Sequence, residues 1–267
     1  MKFDPHGAYH LMKISLQERK VGLALGGGGV LGAAHIGVLK ALNELNVSIH
    51  AVAGTSIGAL IASLFAFGKD WQDIEGVLTD LNWLNASELS LSQYAILSNK
   101  KLGDLITQNL GEVSFEEAKI PLAMVATDIS KGQKVILKNG DVSNAVMAST
   151  CVPGIFEPIQ IQERLLVDGG IVENVPISPL RDLGANFLIG VALGSGSTRD
   201  KPENVIDVLL RSFYFTIETA TRLRTKDADL VIAPDLASFS LISTHQTGAL
   251  IQAGYAETRK ILSQNLA

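Results

Sequence analysis

The chain has 267 residues, of which 47% are hydrophobic and 18% are charged, and its formal net charge is −5. This composition supplies ample apolar material for a folded core and excludes an intrinsically disordered chain. Because the chain is mildly acidic and has no long run of Lys or Arg, no nucleic-acid partner is expected.

The N-terminal part of the chain gives no sign of export. Residues 1–20 carry charge and no apolar stretch, so we predict no secretory signal and expect a cytoplasmic protein. Residues 47–68 contain no Asp, Glu, Lys or Arg and are about long enough to span a bilayer. Glycines, hydroxyl residues and a histidine in the middle of this segment favour a buried strand, a tight turn and a buried helix instead.

Apolar runs and helical spacings alternate along the chain. Residues 21–25 and 49–53 are predicted strands, and the predicted helices 32–45 and 57–67 follow them. This order predicts parallel strands with helices packed on the sheet. The further predicted strands are 121–127, 133–137, 165–167, 187–193 and 230–233, and the further predicted helices are 71–81, 101–110, 144–149, 203–225 and 246–263.

The predicted elements form one α/β pattern. Residues 82–99 are polar and serine-rich, which is typical of either a mobile flap or a surface connection. We see no repeat, low-complexity tract or linker, so we expect one domain over residues 1–267, with a core at about 20–195 and the last strand and C-terminal helices at 200–267. The predicted fold class is α/β, with a mainly parallel central sheet and helices on both faces.

A glycine loop, residues 26–32, follows the first predicted strand and opens a helix. Gly27, Gly29 and Gly32 satisfy the G-x-G-x-x-G pattern of a dinucleotide site, and amides at a helix N-terminus favour negative charge. The same loop is also compatible with an oxyanion hole, or with tight packing alone. A dinucleotide site would need an acidic residue at the end of the second strand, but that strand continues into Gly54-Thr55-Ser56, which disfavours it.

A second motif, Gly54-Thr55-Ser56-Ile57-Gly58, which we call the elbow, matches G-x-S-x-G at a predicted strand–turn–helix junction. The sharp turn lifts the hydroxyl of Ser56 clear of the backbone, and Gly54 and Gly58 relieve crowding there. The dipole of the following helix favours charge on the serine oxygen. The pattern predicts Ser56 as a nucleophile, and the alternative is a serine that caps the helix.

A nucleophilic serine needs a base within hydrogen-bond reach. His245 is the one histidine that follows the elbow and is a possible base, although a surface or capping role is the commoner one, and we expect His35 to be satisfied inside the fold. Asp168 follows an apolar strand and precedes Gly169 and Gly170, so partial desolvation would raise its pKa toward the range of a base. An ordinary turn aspartate is the alternative, and spacing alone does not decide.

The single cysteine, Cys151, excludes an intramolecular disulfide. It has no His or Cys neighbours in sequence that suggest zinc, so no metal site is predicted. We expect Cys151 to be a small buried apolar residue and not a nucleophile.

Taken together, these residues resemble the patatin-like phospholipase family, in particular its small single-domain bacterial members. The resemblance runs from about Val21 to Val191, and five ordered segments carry it: residues 27–32, 33–39, 54–58, 148–158 and 168–176. It implies a three-layer sandwich and a Ser56–Asp168 dyad without histidine. It also implies an oxyanion hole at Gly27, Gly28 and Gly29, and hydrolysis of lipid acyl esters without metal or organic cofactor.

The chain departs from the family pattern at Leu31, where the glycine loop commonly carries Arg or Lys. A cation there would attract an anionic headgroup, so neutral glycerides, lysolipids and short acyl esters stay open as substrates. No amphipathic basic helix indicates a membrane anchor, so any contact with a membrane surface is expected to be transient. The oligomeric state is not predicted. The alternatives are a nucleotide-binding α/β protein and a catalytically silent interaction protein on the same fold.

Overall fold

The computed structural model describes residues 19–80, 97–194, 201–202, 204–240 and 244–265, together with residue 16 and the two-residue strand at 88–89. Most of the polar segment, residues 82–87 and 90–96, lies outside the described residues. The expectation of a flap or a surface connection there stays a prediction.

Strands and helices alternate through the described chain. The strands are β1 (Val21–Leu25), β2 (Ile49–Thr55), β3 (Glu88–Leu89), β4 (Leu97–Ser98), β5 (Leu122–Asp128), β6 (Gln133–Leu137), β7 (Ile159–Ile161), β8 (Arg164–Asp168), β9 (Phe187–Val191) and β10 (Leu230–Ile232). The helices are α1 (Ala33–Glu44), α2 (Ile57–Ala66), α3 (Trp71–Asp80), α4 (Lys100–Leu110), α5 (Val142–Ser149), α6 (Gly170–Glu173), α7 (Ser178–Asp182), α8 (Val205–Arg224) and α9 (Thr247–Asn265). The predicted elements are confirmed apart from their end residues, and β3, β4, β7, α6 and α7 were not predicted.

The main sheet of the described chain has the strand order β10-β9-β1-β2-β5-β8-β7, with β6 paired to β5 off this path. The five strands from β10 to β5 run parallel to one another. Strands β6, β7 and β8 pair antiparallel to their neighbours. The prediction of a mainly parallel sheet is therefore confirmed, and the antiparallel strands are confined to the β5 end.

Helices cover both faces of this sheet. Alternate side chains of a strand point to opposite faces, and Leu23 and Leu25 of β1 join a core cluster with apolar residues of α1, α2 and α9. Ala24 packs on the other face with Leu180 of α7 and its neighbours. The expected three-layer α/β architecture is confirmed.

The uncharged segment 47–68 is not a membrane span. It forms β2, a turn and α2, and residues 51–64 are all buried, as predicted. In the part of the chain that the structure describes, no helix combines the length and the apolar character that crossing a membrane needs.

Strands β2 and β8 meet end to end along one edge of β5. The first half of β5 pairs with β2 in parallel, and its second half pairs with β8 in antiparallel orientation. Because β6 pairs along the opposite edge of β5, the carboxyl ends of β2 and β8 point at each other. Thr55 is paired with Val125 and Asp168 with the next residue, Ala126. This register brings the residue after Thr55 next to Asp168.

Candidate active site

Ser56 lies in the turn between β2 and α2 with an unusual backbone conformation. Its φ of 55° and ψ of −128° are rarely adopted by a residue that carries a side chain, and such strain typically costs about 1–3 kcal/mol. The glycines on either side permit the tight turn. A Cβ on Gly58 would collide with the carbonyl oxygen of Leu25, and one on Gly54 would lie 2.5 Å from the amide nitrogen of Ala59.

Asp168 ends β8 and is fully buried. Its amide donates to the carbonyl of Cys151 at 2.7 Å, and its carbonyl accepts from the Thr127 hydroxyl at 2.8 Å. In the carboxyl group, Oδ1 accepts from the amide of Gly170 at 2.7 Å. Oδ2 is buried and has no partner at hydrogen-bond distance among the described residues. The backbone is therefore fixed, while one carboxyl oxygen stays available.

Burial sets the protonation of this carboxyl group. It raises the pKa of Asp168 from its ordinary value of 3.8 to about 7, although the nearby hydroxyl of Ser56 and the hydrogen bond from the Gly170 amide oppose the shift. Ser56 and Asp168, predicted from separate motifs, therefore face each other in one buried site. A carboxyl group with this pKa exchanges its proton near neutral pH, as a general base must.

The amides of the glycine loop are not equivalent. Gly26 donates to the carbonyl of Val191 at 3.1 Å, and Gly27 donates to the carbonyl of Asn174 at 3.2 Å. Among the described residues, no backbone carbonyl accepts from the amides of Gly28 and Gly29. The amide of Gly27 is therefore already engaged within the fold, and the oxyanion hole expected at Gly27, Gly28 and Gly29 stays a prediction.

The other motif glycines permit close approaches around the site. A Cβ on Gly32 would collide with the side chain of Ile57 at the start of α2, and one on Gly169 would collide with the carbonyl oxygen of Val125. A Cβ on Gly170 would lie 3.0 Å from Oδ1 of Asp168. These glycines let the glycine loop, the elbow and the end of β8 pack together.

Histidine does not complete the site. His35 is buried, and its Nε2 lies 2.8 Å from the carbonyl of Gly26, so it supports the glycine loop. Burial lowers the pKa of His35 to about 4 and keeps the ring neutral. His245 is exposed in the turn before α9, and no hydrogen bond among the described residues joins it to Ser56.

Cys151 is buried, as predicted, and its Sγ donates to the carbonyls of Phe156 and Glu157 at 3.2 and 3.0 Å. Burial raises the pKa of its thiol far above the ordinary value, which keeps it protonated. Within the residues that the structure describes, no group of three or more His, Cys, Asp or Glu side chains is arranged to hold a metal ion.

Three residues that sequence reasoning did not assign also lie at the site. The Ser149 hydroxyl accepts from the amide of Ser56. Asn174 holds the amide of Gly27, and its side-chain oxygen is buried without a partner among the described residues. Tyr214 of α8 is buried close to the site: burial raises the pKa of its hydroxyl above the ordinary value, and the charge of Asp168 raises it further. Ser149 and Asn174 lie in segments of the family resemblance, whereas no motif surrounds Tyr214.

Comparison with known proteins fits this geometry. The family model described as patatin-like phospholipase matches residues 23–181, which include the glycine loop, the elbow and Asp168. The chain belongs to the patatin-like phospholipase family.

Several named relatives share the patatin-like region. An uncharacterized NTE family protein of Mycobacterium bovis is 36% identical over 191 residues, which cover 70% of this chain and 53% of that protein. A lysophospholipase nte1 of Aspergillus fumigatus is 31% identical over 290 residues, which cover 97% of this chain and 19% of that protein. The chain thus spans about half of the length of the mycobacterial relative and about a fifth of the fungal one.

Solved structures show the same patatin-like fold at low sequence identity. VipD from Legionella pneumophila matches with a TM-score of 0.63 at 16% identity, covering 93% of this chain and 67% of that one. ExoU of Pseudomonas aeruginosa, in complex with SpcU, matches with a TM-score of 0.53 at 15% identity, covering 93% of this chain and 53% of that one. At this identity the likeness concerns the fold alone.

Proposed function

We propose that this chain is a serine hydrolase of lipid carboxylic esters that uses Ser56 as the nucleophile and Asp168 as the general base. One observation carries the proposal: the buried carboxyl group of Asp168 faces Ser56 where β2 and β8 meet, and its pKa is raised to about 7. Membership of the patatin-like phospholipase family supports the substrate class.

The reaction begins when the Asp168 carboxylate takes the hydroxyl proton of Ser56 as the serine oxygen attacks the ester carbonyl. The tetrahedral intermediate collapses, the alcohol leaves with the proton held by Asp168, and the acyl group stays on Ser56. Water then attacks this acyl-enzyme with Asp168 again as base, which releases the fatty acid and restores Ser56. The dyad thereby performs both half-reactions without histidine.

The developing oxyanion is assigned to the amides of Gly28 and Gly29. Both amides lie at the start of the 3-10 turn Gly29–Gly32, which continues into α1, so they lie at the positive end of that helix. The amide of Gly27 is left out because it donates to Asn174. Loss of one oxyanion donor typically slows an acyl hydrolase by about 10²–10³-fold.

Lysophospholipids are the first substrates to test, because the Aspergillus fumigatus relative is named a lysophospholipase. Leu31 narrows the choice of headgroup among these substrates. It occupies the loop position where a family cation is common, and it is fully buried in the core. Since no cation at this position meets an anionic headgroup, we propose that zwitterionic lysolipids and neutral monoacylglycerols are preferred over anionic lipids.

The test compares Ser56→Ala and Asp168→Asn with the unaltered protein in two measurements. The first is the turnover of p-nitrophenyl butyrate, and the second is covalent labelling by a fluorophosphonate probe, whose position is found by peptide mass spectrometry. We expect the probe on Ser56, and a loss of turnover by about 10³-fold or more in both variants. Ser63→Ala and Asp128→Asn are matched controls, since they alter a buried serine of α2 and a buried aspartate of β5. Unchanged turnover in a folded Ser56→Ala or Asp168→Asn variant would reject that residue's role.

A further inference from the structure

The first part of α8 turns an uncharged face to the solvent. All residues from 205 to 216 are described, and the exposed ones among them are Val205, Val208, Leu209, Ser212, Phe215 and Thr216. At about 3.6 residues per turn, they fall within about one third of the helix circumference, so they form one continuous strip. The four large apolar side chains of this strip are between 37% and 64% exposed. We call this strip the outer face of α8.

The charged residues between positions 205 and 216 are withdrawn from the solvent. Asp207 is 1% exposed, and its carboxylate accepts from Nε and Nη2 of Arg211 at 2.7 and 2.8 Å. The side chain of Arg211 is itself only 12% exposed. An ordinary surface helix has the reverse arrangement, with its charged side chains in water and its apolar ones inside. The outer face of α8 is therefore unlike the solvated side of such a helix.

The two hydroxyl groups of the outer face of α8 are hydrogen-bonded to the helix itself. The Ser212 hydroxyl donates to the carbonyl of Val208 at 2.7 Å, and the Thr216 hydroxyl donates to the carbonyl of Ser212 at 2.8 Å. This pattern leaves neither proton for an outside partner. A protein interface carries about one hydrogen bond per 100–200 Å², whereas hydrocarbon accepts none. The outer face is therefore better suited to lipid than to a protein partner.

The opposite side of α8 lies against the dyad. Tyr214 and Ile217 line a cavity of about 550 Å³ together with Asn174, and this volume is within the range of small-molecule sites. The Cδ1 atom of Ile217 lies 2.7 Å from the position of a Cβ on Gly170, and that position lies 3.0 Å from Oδ1 of Asp168. One helix, about 10 Å thick, therefore separates the outer face from the cavity beside the dyad. A lipid surface that contacts the outer face lies close to the site.

We propose that the outer face of α8 is the surface by which this chain binds to a zwitterionic phospholipid surface, with its apolar side chains at the boundary between headgroups and acyl chains. The inference rests on the proposed function, because a hydrolase of lipid esters takes its substrate from such a surface, and it adds the place of contact. Since the outer face has no exposed charge, burial of apolar area drives the contact, and attraction to anionic lipids does not contribute.

The test measures co-sedimentation of the protein with phosphatidylcholine vesicles and compares Leu209→Gln with Leu45→Gln. Both leucines are 37% exposed, but Leu45 follows the end of α1 that is remote from the glycine loop. We expect Leu209→Gln to lower the vesicle partition coefficient about three- to tenfold, because it removes apolar area from the contact. Phe215→Gln, a second variant of the outer face, should do the same, and Leu45→Gln should bind like the unaltered protein.

Two further measurements separate this contact from electrostatic binding and from catalysis. Added salt should leave vesicle binding unchanged, and phosphatidylglycerol vesicles should bind the protein no better than phosphatidylcholine vesicles. The Ser56→Ala protein should bind vesicles as well as the unaltered protein, because the contact involves no turnover. Vesicle binding without fluorophosphonate labelling of Ser56 would therefore reject the proposed function and leave the lipid contact standing.

Three results would overturn the lipid contact. The first is an equal loss of binding in Leu209→Gln and Leu45→Gln, and the second is no binding of the unaltered protein to phosphatidylcholine vesicles. The third comes from sedimentation velocity without lipid. A dimer of the unaltered protein that Leu209→Gln dissociates would assign the outer face of α8 to a second copy of this chain.

Discussion

The hydroxyl of Ser149 holds the backbone of Ser56 in place. It accepts the amide hydrogen of Ser56 at 3.0 Å and donates to the carbonyl of Val125 at 2.7 Å. Ser149 ends α5 and is fully buried, so it connects the elbow to β5. Because the positive φ of Ser56 takes its amide out of the regular hydrogen-bond pattern, this amide needs a separate acceptor.

We therefore expect Ser149→Ala to lower the free energy of unfolding by about 1–3 kcal/mol and to reduce turnover of p-nitrophenyl butyrate. The substitution leaves a buried amide and a buried carbonyl without partners, which is the costly way to lose a hydrogen bond. Urea denaturation measures the first effect. Ser63→Ala is the control. The Ser63 hydroxyl only donates to the carbonyl of Leu60 within α2, so removing it leaves no backbone amide without an acceptor. Equal losses in the two variants would contradict the role of Ser149.

The pH dependence of catalysis should follow Asp168. Its pKa is raised to about 7 by burial, and only the ionised carboxylate accepts the proton of Ser56. We expect kcat/KM to rise about tenfold per pH unit below pH 7 and to level off above it, since this parameter reports the free enzyme. A soluble ester assayed between pH 5 and 9 gives the profile. A profile that is flat across this range would rule out Asp168 as the base.

The same carboxyl group should make the protein less stable at alkaline pH. With its pKa raised from 3.8 to about 7, Asp168 stabilises the fold in its protonated form below pH 3.8, and this contribution is lost as the pH rises through about 7. We therefore expect Asp168→Asn to be more stable than the unaltered protein at pH 8, by up to about 4 kcal/mol.

Denaturation curves at pH 8 and pH 4 measure this difference, which should shrink toward zero at the lower pH because both side chains are then neutral in the fold. Asp128→Asn is the control, since Asp128 is also buried and its Oδ1 accepts from the amide of Ser130 at 3.0 Å. A loss of stability at pH 8 in Asp168→Asn, or a gain of the same size at both pH values, would contradict this account.

Alanine should have opposite effects at two helical glycines. At Gly58 the added Cβ collides with the carbonyl oxygen of Leu25, whereas at Gly76 of α3 no atom of the described residues lies within 4 Å of it. We expect Gly58→Ala to destabilise the fold by about 1–3 kcal/mol or more because the elbow cannot accept it. We expect Gly76→Ala to stabilise it by about 0.5–1 kcal/mol. Thermal unfolding distinguishes the two, and stabilisation at Gly58 would contradict the tight packing of the elbow.

The sequence alone determined the parallel core and the two motifs. Apolar runs that end in the glycine loop and the elbow specify β1, α1, β2 and α2, because strand and helix periods are local properties of a chain. The short strand β7 was missed because three half-buried residues carry too little pattern. The antiparallel direction of β8 was also not predicted, since the direction of pairing depends on connections that spacing does not show.

Tertiary structure alone decided which groups work together. From the sequence pattern, Asp168 could be either a base or an ordinary turn aspartate. The carboxyl ends of β2 and β8 meet along β5, and this arrangement buries Asp168 beside Ser56. The engagement of the Gly27 amide by Asn174 and the hydrogen bond from the Ser56 amide to Ser149 join residues far apart in the chain. Local patterns indicate how each segment folds. Hydrogen bonds between distant segments and the desolvation of their polar groups arise only when those segments pack together.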